Sequence, residues 1–229
     1  MMPRYSLVVP VYNEAGNLIP LLATAVAVLA PLEGGSEIIL VDDGSTDGTA
    51  AEIVAAIVRW PGCRVLTHAR NLGQEVALLA GLQAAVGKII LTMDGDGQND
   101  PRDFPFLLAP IEAGTLDLAC GWRIARHDSW LRRGMSQFAN AIRRRVLHDG
   151  VHDAGCQLRV MRRELVAALF PFELLQAFIP AIAVAAGCRV GEFPVRHHPR
   201  IHGRAHFGLR QLWWKPAVAM LRLRRRLRA

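Results

Sequence analysis

Four times in its first hundred residues the chain runs a short apolar stretch straight into polar residues, with a segment of helical length before the next. Tyr5 to Val11 is followed by Tyr12, Asn13 and Glu14, and Glu37 to Val41 by Asp42, Asp43, Gly44, Ser45, Thr46 and Asp47. Arg64 to Thr67 leads to Arg70, Asn71 and Gly73, and Ile89 to Leu91 leads to Asp94, Asp96 and Gln98. Strands buried on both faces read as continuous apolar runs. Alternating with helices, they imply a parallel sheet with right-handed crossovers. All four polar ends then fall on one edge, the edge where open α/β sheets bind ligands. Helices are expected over residues 16–29, 50–58 and 74–85, the second capped by Asp47 or Ser45.

The fourth end is the most acidic. Asp94 and Asp96, two apart on an extended segment, point the same way, and Gln98 joins them if the extension continues. Three hard oxygen donors suit Mg²⁺ or Mn²⁺, which keep waters and complete their shell with substrate phosphates. A bare Asp-x-Asp also fits a solvated acidic loop with turn-forming Gly and Asn. What separates the two readings is the repetition, because four solvated loops would not each begin at a strand end. No Gly-x-Gly-x-x-Gly follows the first strand and no Gly-x₄-Gly-Lys-Ser/Thr occurs, which disfavours a dinucleotide fold or a P-loop. Carboxylates without a glycine-rich cradle hold phosphates through a metal, and a nucleoside diphosphate is the natural ligand.

These residues resemble glycosyltransferase family 2. The segments are Val9-Pro10-Val11-Tyr12-Asn13-Glu14, Asp42 to Asp47, Arg70-Asn71-Leu72-Gly73 and Asp94 to Pro101. Later segments are similar to its dolichol- and undecaprenyl-phosphate sugar transferases: Gly121-Trp122-Arg123 with Arg126 and Asp128, Asp153 to Arg159, and Val195 to Phe207. The resemblance implies a GT-A fold over residues 1–208, a mostly parallel Rossmann-like sheet flanked by helices. It implies a nucleotide pocket lined by Pro10, Tyr12 and Glu14, with Asp42 on the base. Asp94 would contact the nucleotide or the metal, and Asp96 and Gln98 would ligate Mg²⁺ or Mn²⁺. Arg123, Arg200 and His206 would meet an acceptor phosphate, and Arg126 and Arg200 would add charge-assisted bonds to phosphate in the reaction. Asp153 would orient an anionic lipid phosphate, or act as base toward a hydroxyl. Inversion by single displacement follows from the same resemblance.

The chain departs from that family where Gly-x-Ser-Lys-Tyr is frequent and Gly203-Arg204-Ala205-His206-Phe207 stands instead. His206 replaces a permanent charge by a group that titrates near neutrality. Gln176-Ala177 stand where His-Arg often precedes Phe-x-Pro, here Phe178-Ile179-Pro180. Among other candidates, Arg159, Arg162 and Arg163 read as surface or helix-start charges, and His197 and His198 as loop packing or chemistry. His148 and His152 have metal-ligand spacing, but Gly150 between them argues for a turn.

Composition bounds the partners. At 229 residues and 52% hydrophobic the chain can bury a full core. Cys63, Cys120, Cys156 and Cys188 are scattered without a Cys-x-x-Cys, which argues against a zinc site and a disulfide framework. Ala15 to Leu32 is uncharged but contains Asn17, Pro20 and Pro31 between two strands, so it reads as a buried helix, not a membrane span. No leader and no spanning helix are expected. Beyond Glu192 ten Arg and Lys follow with no acid, which calls for an anionic partner. Residues 130–147 read as a basic helix without acid. Residues 209–229 read as a basic amphipathic helix with Leu209, Leu212, Trp213, Met220, Leu223 and Leu227 on one face, suited to a membrane interface. No nucleic-acid recognition motif accompanies the charge. The expectation is an enzyme on the cytoplasmic membrane face that moves sugar from a UDP- or GDP-sugar to a polyprenyl phosphate. The alternatives are a soluble transferase acting on a saccharide hydroxyl and a catalytically weak nucleotide-sugar-binding protein.

Overall fold

A computed structural model describes residues 2–123, 130–199 and 214–227. Among the described residues seven strands form one sheet, in the spatial order Cys63–Thr67, Ser36–Asp42, Tyr5–Val11, Ile89–Thr92, Arg159–Arg162, Leu118–Arg123 and Val190–Val195. β1 (Tyr5–Val11), β2 (Ser36–Asp42), β3 (Cys63–Thr67) and β4 (Ile89–Thr92) are mutually parallel where they pair. β6 (Arg159–Arg162) runs antiparallel to both neighbours, β4 and β5 (Leu118–Arg123), and β7 (Val190–Val195) runs parallel to β5.

The apolar runs explain the centre. Every residue of β1 is buried, with Tyr5, Leu7, Val9 and Val11 on one face and Val8 on the other. The first face is covered by α1 (Leu18–Leu29), α2 (Thr49–Arg59) and α4 (Phe104–Glu112). The second is covered by α3 (Gln74–Ala84), α6 (Leu175–Ala185) and α7 (Trp214–Arg226), with the end of α5 (Trp130–Leu147) packed on them. Each buried Leu or Phe of these layers contributes about 1.5–3 kcal/mol relative to exposure. α1 is the buried helix expected, with Leu18, Leu21, Leu22, Ala25 and Leu29 inside.

Pro10 sits in the central strand, where a missing donor would ordinarily break the ladder. Met93 N–H donates to Val8 O and Asp43 N–H to Val11 O, so even residues of β1 face β4 and odd ones face β2. The β4 ladder ends at the Val8–Thr92 pair. Pro10 therefore turns its ring nitrogen to a place where no acceptor waits. In the same gap the chain after β4 passes close by: a Cβ on Gly95 would lie 2.6 Å from Val11 Cγ1.

Two expectations are corrected here. Arg159 is not a surface charge; it is fully buried in β6, the strand enclosed between β4 and β5. The apolar face of α7 is not free for a membrane either. Ala219, Met220 and Leu223 are buried in the second core layer and Leu227 packs against it. That layer needed a cover beyond α5, and a helix with apolar residues at this spacing supplies one. Val218, Leu221, Arg222 and Arg225 face outward instead. No described helix is long and apolar enough to cross a membrane.

Candidate functional site

The register brings the polar strand ends level. Val11 pairs with Asp42, and Asp42 with Thr67. Three loops are then stitched together. Asn13, at φ 56°, donates its N–H to Ser45 Oγ at 3.0 Å and takes the Thr46 N–H on its side-chain oxygen at 2.8 Å. The Glu14 N–H reaches Thr49 Oγ1 at 2.8 Å, and the buried Glu14 carboxylate accepts from Asn17 Nδ2. Asp47 accepts the Thr49 N–H at 2.9 Å at the head of α2, whereas Ser45 caps nothing. Asp42 spends one oxygen on the Ser45 N–H at 2.9 Å, and its other oxygen accepts no hydrogen bond among the described residues. Tyr12 is partly buried beside them.

Asp43, which sequence reasoning left without a role, ties the third loop to this edge. It accepts from the backbone of Leu72 at 2.9 Å and Gly73 at 2.8 Å and meets His68 Nδ1 at 2.7 Å. The Asp-Asp pair at the strand end carried that signal, since alternation turns neighbouring side chains to opposite sides and Asp43 cannot face the same way as Asp42.

The acidic stretch is not extended as expected. β4 stops at Thr92, and Gly97 at φ 73° turns the chain. Asp96 closes that turn by accepting the Gln98 N–H at 3.0 Å. Gln74 Nε2 donates to Asp94 Oδ1 at 2.6 Å. The Asp94 carboxyl is pushed up to about 7, first by burial and then by the nearby Asp96 charge, with Arg123 and Arg159 acting the other way. The segment after β7 folds back over this turn. His198 N–H donates to Gln98 O at 2.9 Å, Arg196 forks onto Asp103, and His198 Nε2 meets Asp100 at 3.1 Å. His197 Nε2 comes to 3.5 Å from Gln98 Nε2. The Gln98 carboxamide oxygen accepts no hydrogen bond among the described residues.

Among the described residues no group of three or more His, Cys, Asp or Glu side chains is gathered as a metal cage. Two close carboxylates and a carboxamide oxygen nevertheless fit Mg²⁺ or Mn²⁺, which take few protein ligands and complete their shell with phosphate and water. The raised Asp94 carboxyl shows surroundings, burial first and Asp96 second, that disfavour the bare carboxylate, a form that a divalent cation would stabilise.

Across β6 the edge becomes cationic. Arg123, at the end of β5, grips Asp153 with Nε at 2.7 Å and Nη2 at 2.8 Å. Burial alone would depress the guanidinium, but the Asp153 hydrogen bond and charge hold it firmly protonated. Buried Arg159 donates to Ala154 O at 2.8 Å and Gln157 Oε1 at 3.2 Å, bracing the turn that carries Asp153. Among the described residues its Nε has no hydrogen-bond partner. Arg143 of α5, expected without an acid, forms a buried pair with Asp149 at 2.5 Å. Gln176 is buried at the head of α6, its Oε1 without a hydrogen-bond partner among the described residues. His148 and Gly150 both have positive φ, so the His148–His152 stretch is a turn. Arg126, Arg200 and His206 lie outside the described residues, as do Ala205 and the residues 209–213 of the expected tail helix.

A mostly parallel sheet with carboxylates at one half of its ligand edge and a guanidinium at the other has the GT-A architecture. The chain belongs to glycosyl transferase family 2, whose sequence profile matches residues 6–170. It is 38% identical over 208 residues, 89% of this chain, to the dodecaprenyl-phosphate galacturonate synthase of Rhizobium johnstonii. It is 37% identical over 209 residues, 90% of this chain, to the undecaprenyl-phosphate 4-deoxy-4-formamido-L-arabinose transferase of Edwardsiella ictaluri. The matches span 62% and 64% of those proteins. The glucosyl-3-phosphoglycerate synthase of Mycobacterium tuberculosis, solved with Mn²⁺, UDP and glucosyl-3-phosphoglycerate, superposes with a TM-score of 0.71. The superposition covers 97% of this chain and 80% of that one at 20% identity, a likeness of fold.

Proposed function

We propose that the chain transfers a sugar, with inversion, from a UDP- or GDP-sugar to a polyprenyl phosphate. The observation that carries the choice of acceptor is the fork between Arg123 and Asp153. Both carboxylate oxygens are engaged by one guanidinium, which leaves Asp153 poorly placed to take a proton from a sugar hydroxyl. A phosphate monoester, with a second pKa near ~6, is already an anionic nucleophile at pH 7 and needs no base. The relatives act, by their names, on dodecaprenyl and undecaprenyl phosphate.

In this reading Pro10, Tyr12 and Glu14 line the nucleotide pocket, and the second oxygen of Asp42 accepts from the base. Asp94 faces the nucleotide with its orientation set by Gln74. Asp96 and Gln98 would hold Mg²⁺ or Mn²⁺, joined by the neighbouring His197. The ion would supply charge stabilisation to the departing diphosphate. Arg123, fixed by Asp153, orients the acceptor phosphate, and Arg126, Arg200 and His206 are assigned the remaining phosphate contacts. Attachment to the cytoplasmic membrane face falls to the outward face of α7, where Val218 and Leu221 accompany Arg222 and Arg225. Each arginine near anionic lipid contributes about 1 kcal/mol.

Radiolabelled UDP- and GDP-sugars incubated with Mn²⁺, with and without polyprenyl phosphate, test the reading. Product formed only with the lipid is expected. Transfer to saccharides alone, or binding without turnover, would overturn it.

A further inference from the structure

Behind the Arg123–Asp153 pair stands a carboxylate with no part in the chemistry described so far. Glu192 lies midway along β7, opposite Cys120 of β5 in the parallel register. Its side chain is only 9% exposed, and among the described residues no Arg or Lys pairs with it. A carboxylate kept inside a protein without a paired arginine or lysine is answered by hydrogen bonds and, for Glu192, by the imidazole it meets. Here all of them come from one turn. Oε1 accepts the Asp153 N–H at 2.8 Å and the His152 N–H at 3.0 Å. Oε2 accepts the His152 N–H at 2.9 Å and meets His152 Nδ1 at 2.8 Å.

The same carboxylate also reaches the other member of the pair. The His152 ring that it holds is stacked on Trp122, with centroids 5.1 Å apart and planes at 23°. Trp122 immediately precedes Arg123 on β5. Glu192 thus anchors the backbone of Asp153 and, through His152 and Trp122, braces the strand position next to Arg123. Packing alone would be served by an apolar side chain. A carboxylate pointed at two consecutive N–H groups fixes the orientation of that peptide as well.

We propose that Glu192 is a positioning residue for sugar transfer. It holds the His152–Asp153 backbone so that Asp153 presents the Arg123 guanidinium to the acceptor phosphate. The inference rests on the reading that Arg123 meets that phosphate. Misplacement of a positioned group by about 1 Å costs up to 10²-fold in rate. The effect should therefore fall on turnover with acceptor, while the nucleotide pocket, built on β1, β2 and β4, keeps its affinity.

The test compares wild type, Glu192→Gln and Glu192→Ala as full chains. Three quantities are read: transfer kinetics to polyprenyl phosphate, calorimetric affinity for UDP and GDP with Mn²⁺, and amide hydrogen exchange over residues 150–156. Glu192→Ala is expected to lower kcat about 10–100-fold, to leave nucleotide affinity within about twofold, and to accelerate exchange at 152 and 153. Glu192→Gln, which keeps one carbonyl acceptor, should fall between, and it serves alone if the alanine variant does not fold. Unchanged kcat, a loss of nucleotide affinity equal to the loss of kcat, or unchanged exchange would overturn the proposal. If the wild type transfers sugar to no lipid phosphate, the functional reading fails on its own. Exchange then decides: unaltered rates refute the anchoring, and faster rates at unchanged nucleotide affinity support it.

Discussion

His197 Nε2 lies 3.5 Å from Gln98 Nε2, across 99 residues of sequence, because the segment leaving β7 folds back over the turn that follows β4. An imidazole is thereby set beside the Gln98 carboxamide, in the turn proposed to receive a divalent ion. His197→Ala is expected to weaken Mn²⁺ binding by about tenfold. Calorimetry on the nucleotide-free protein measures this, and an unchanged Kd would remove His197 from the ion's surroundings.

The same titration carries a pH dependence. The Asp94 carboxyl is pushed up to about 7, by burial first and Asp96 second, so its ionised form is the minority below neutrality. A metal ion requires the ionised form. Mn²⁺ affinity should then tighten about tenfold between pH 6 and pH 8, and Asp94→Asn should flatten that slope. A pH-independent affinity in the wild type would refute it.

Gly44 allows the second and third loops to meet. Its φ is +73°, and an added Cβ would lie 2.6 Å from the Arg70 carbonyl carbon. Gly44→Ala is expected to cost at least about 1–3 kcal/mol from the backbone conformation alone, read as a lower urea midpoint.

Asp117, ahead of β5, receives a forked Arg189 and lies 3.3 Å from Arg162 Nε. Hydrogen bonds from Arg189, its side chain and then its backbone, hold this carboxyl down at about 2. A carboxylate depressed in the folded state stabilises above its unfolded pKa of ~3.9, and that contribution is lost as pH falls through the folded value. The wild type should lose stability between pH 4 and 2 more steeply than Asp117→Asn. Parallel acid limbs in thermal melts would refute the assignment.

For α7, Leu223 is fully buried and Leu221 is 52% exposed. Leu223→Ala should cost about 2–5 kcal/mol, and Leu221→Ala less than about 0.5 kcal/mol. Leu221→Asp with Arg225→Glu should instead reduce co-sedimentation with anionic vesicles. If the buried substitution releases the protein from vesicles at unchanged stability, the docked arrangement of α7 is wrong.

The polar edge of the parallel strands was legible because its signals are local. An apolar run of four to seven residues ending in Asp or Asn states both the strand and the edge, as at Val41–Asp42 and Leu91–Asp94. What could not be read are the partnerships made across the chain. Nothing around Glu192 announces that its donors are the backbone N–H groups of 152 and 153, and Arg159 looks like any arginine near a turn until β6 is threaded between β4 and β5. Of the apolar face that the spacing predicts, Met220, Leu223 and Leu227 do fall together among the described residues. Periodicity names a face without naming what covers it, and the cover proved to be protein. The acidic turn was misread as extended because Gly97 permits a positive φ that a side-chain pattern does not reveal.

The reversal of β6 has a lasting consequence for how such a chain diversifies. A strand that runs backwards brings its beginning to the ligand edge, level with Thr92. The loop ahead of it, carrying Asp153, therefore meets that edge between the ends of β4 and β5. Insertions and substitutions there are insulated from the parallel ladder of β1, β2 and β4 by one row of antiparallel hydrogen bonds. A lineage can in this way vary one side of the edge while inheriting the strand ends of β1, β2 and β4 intact.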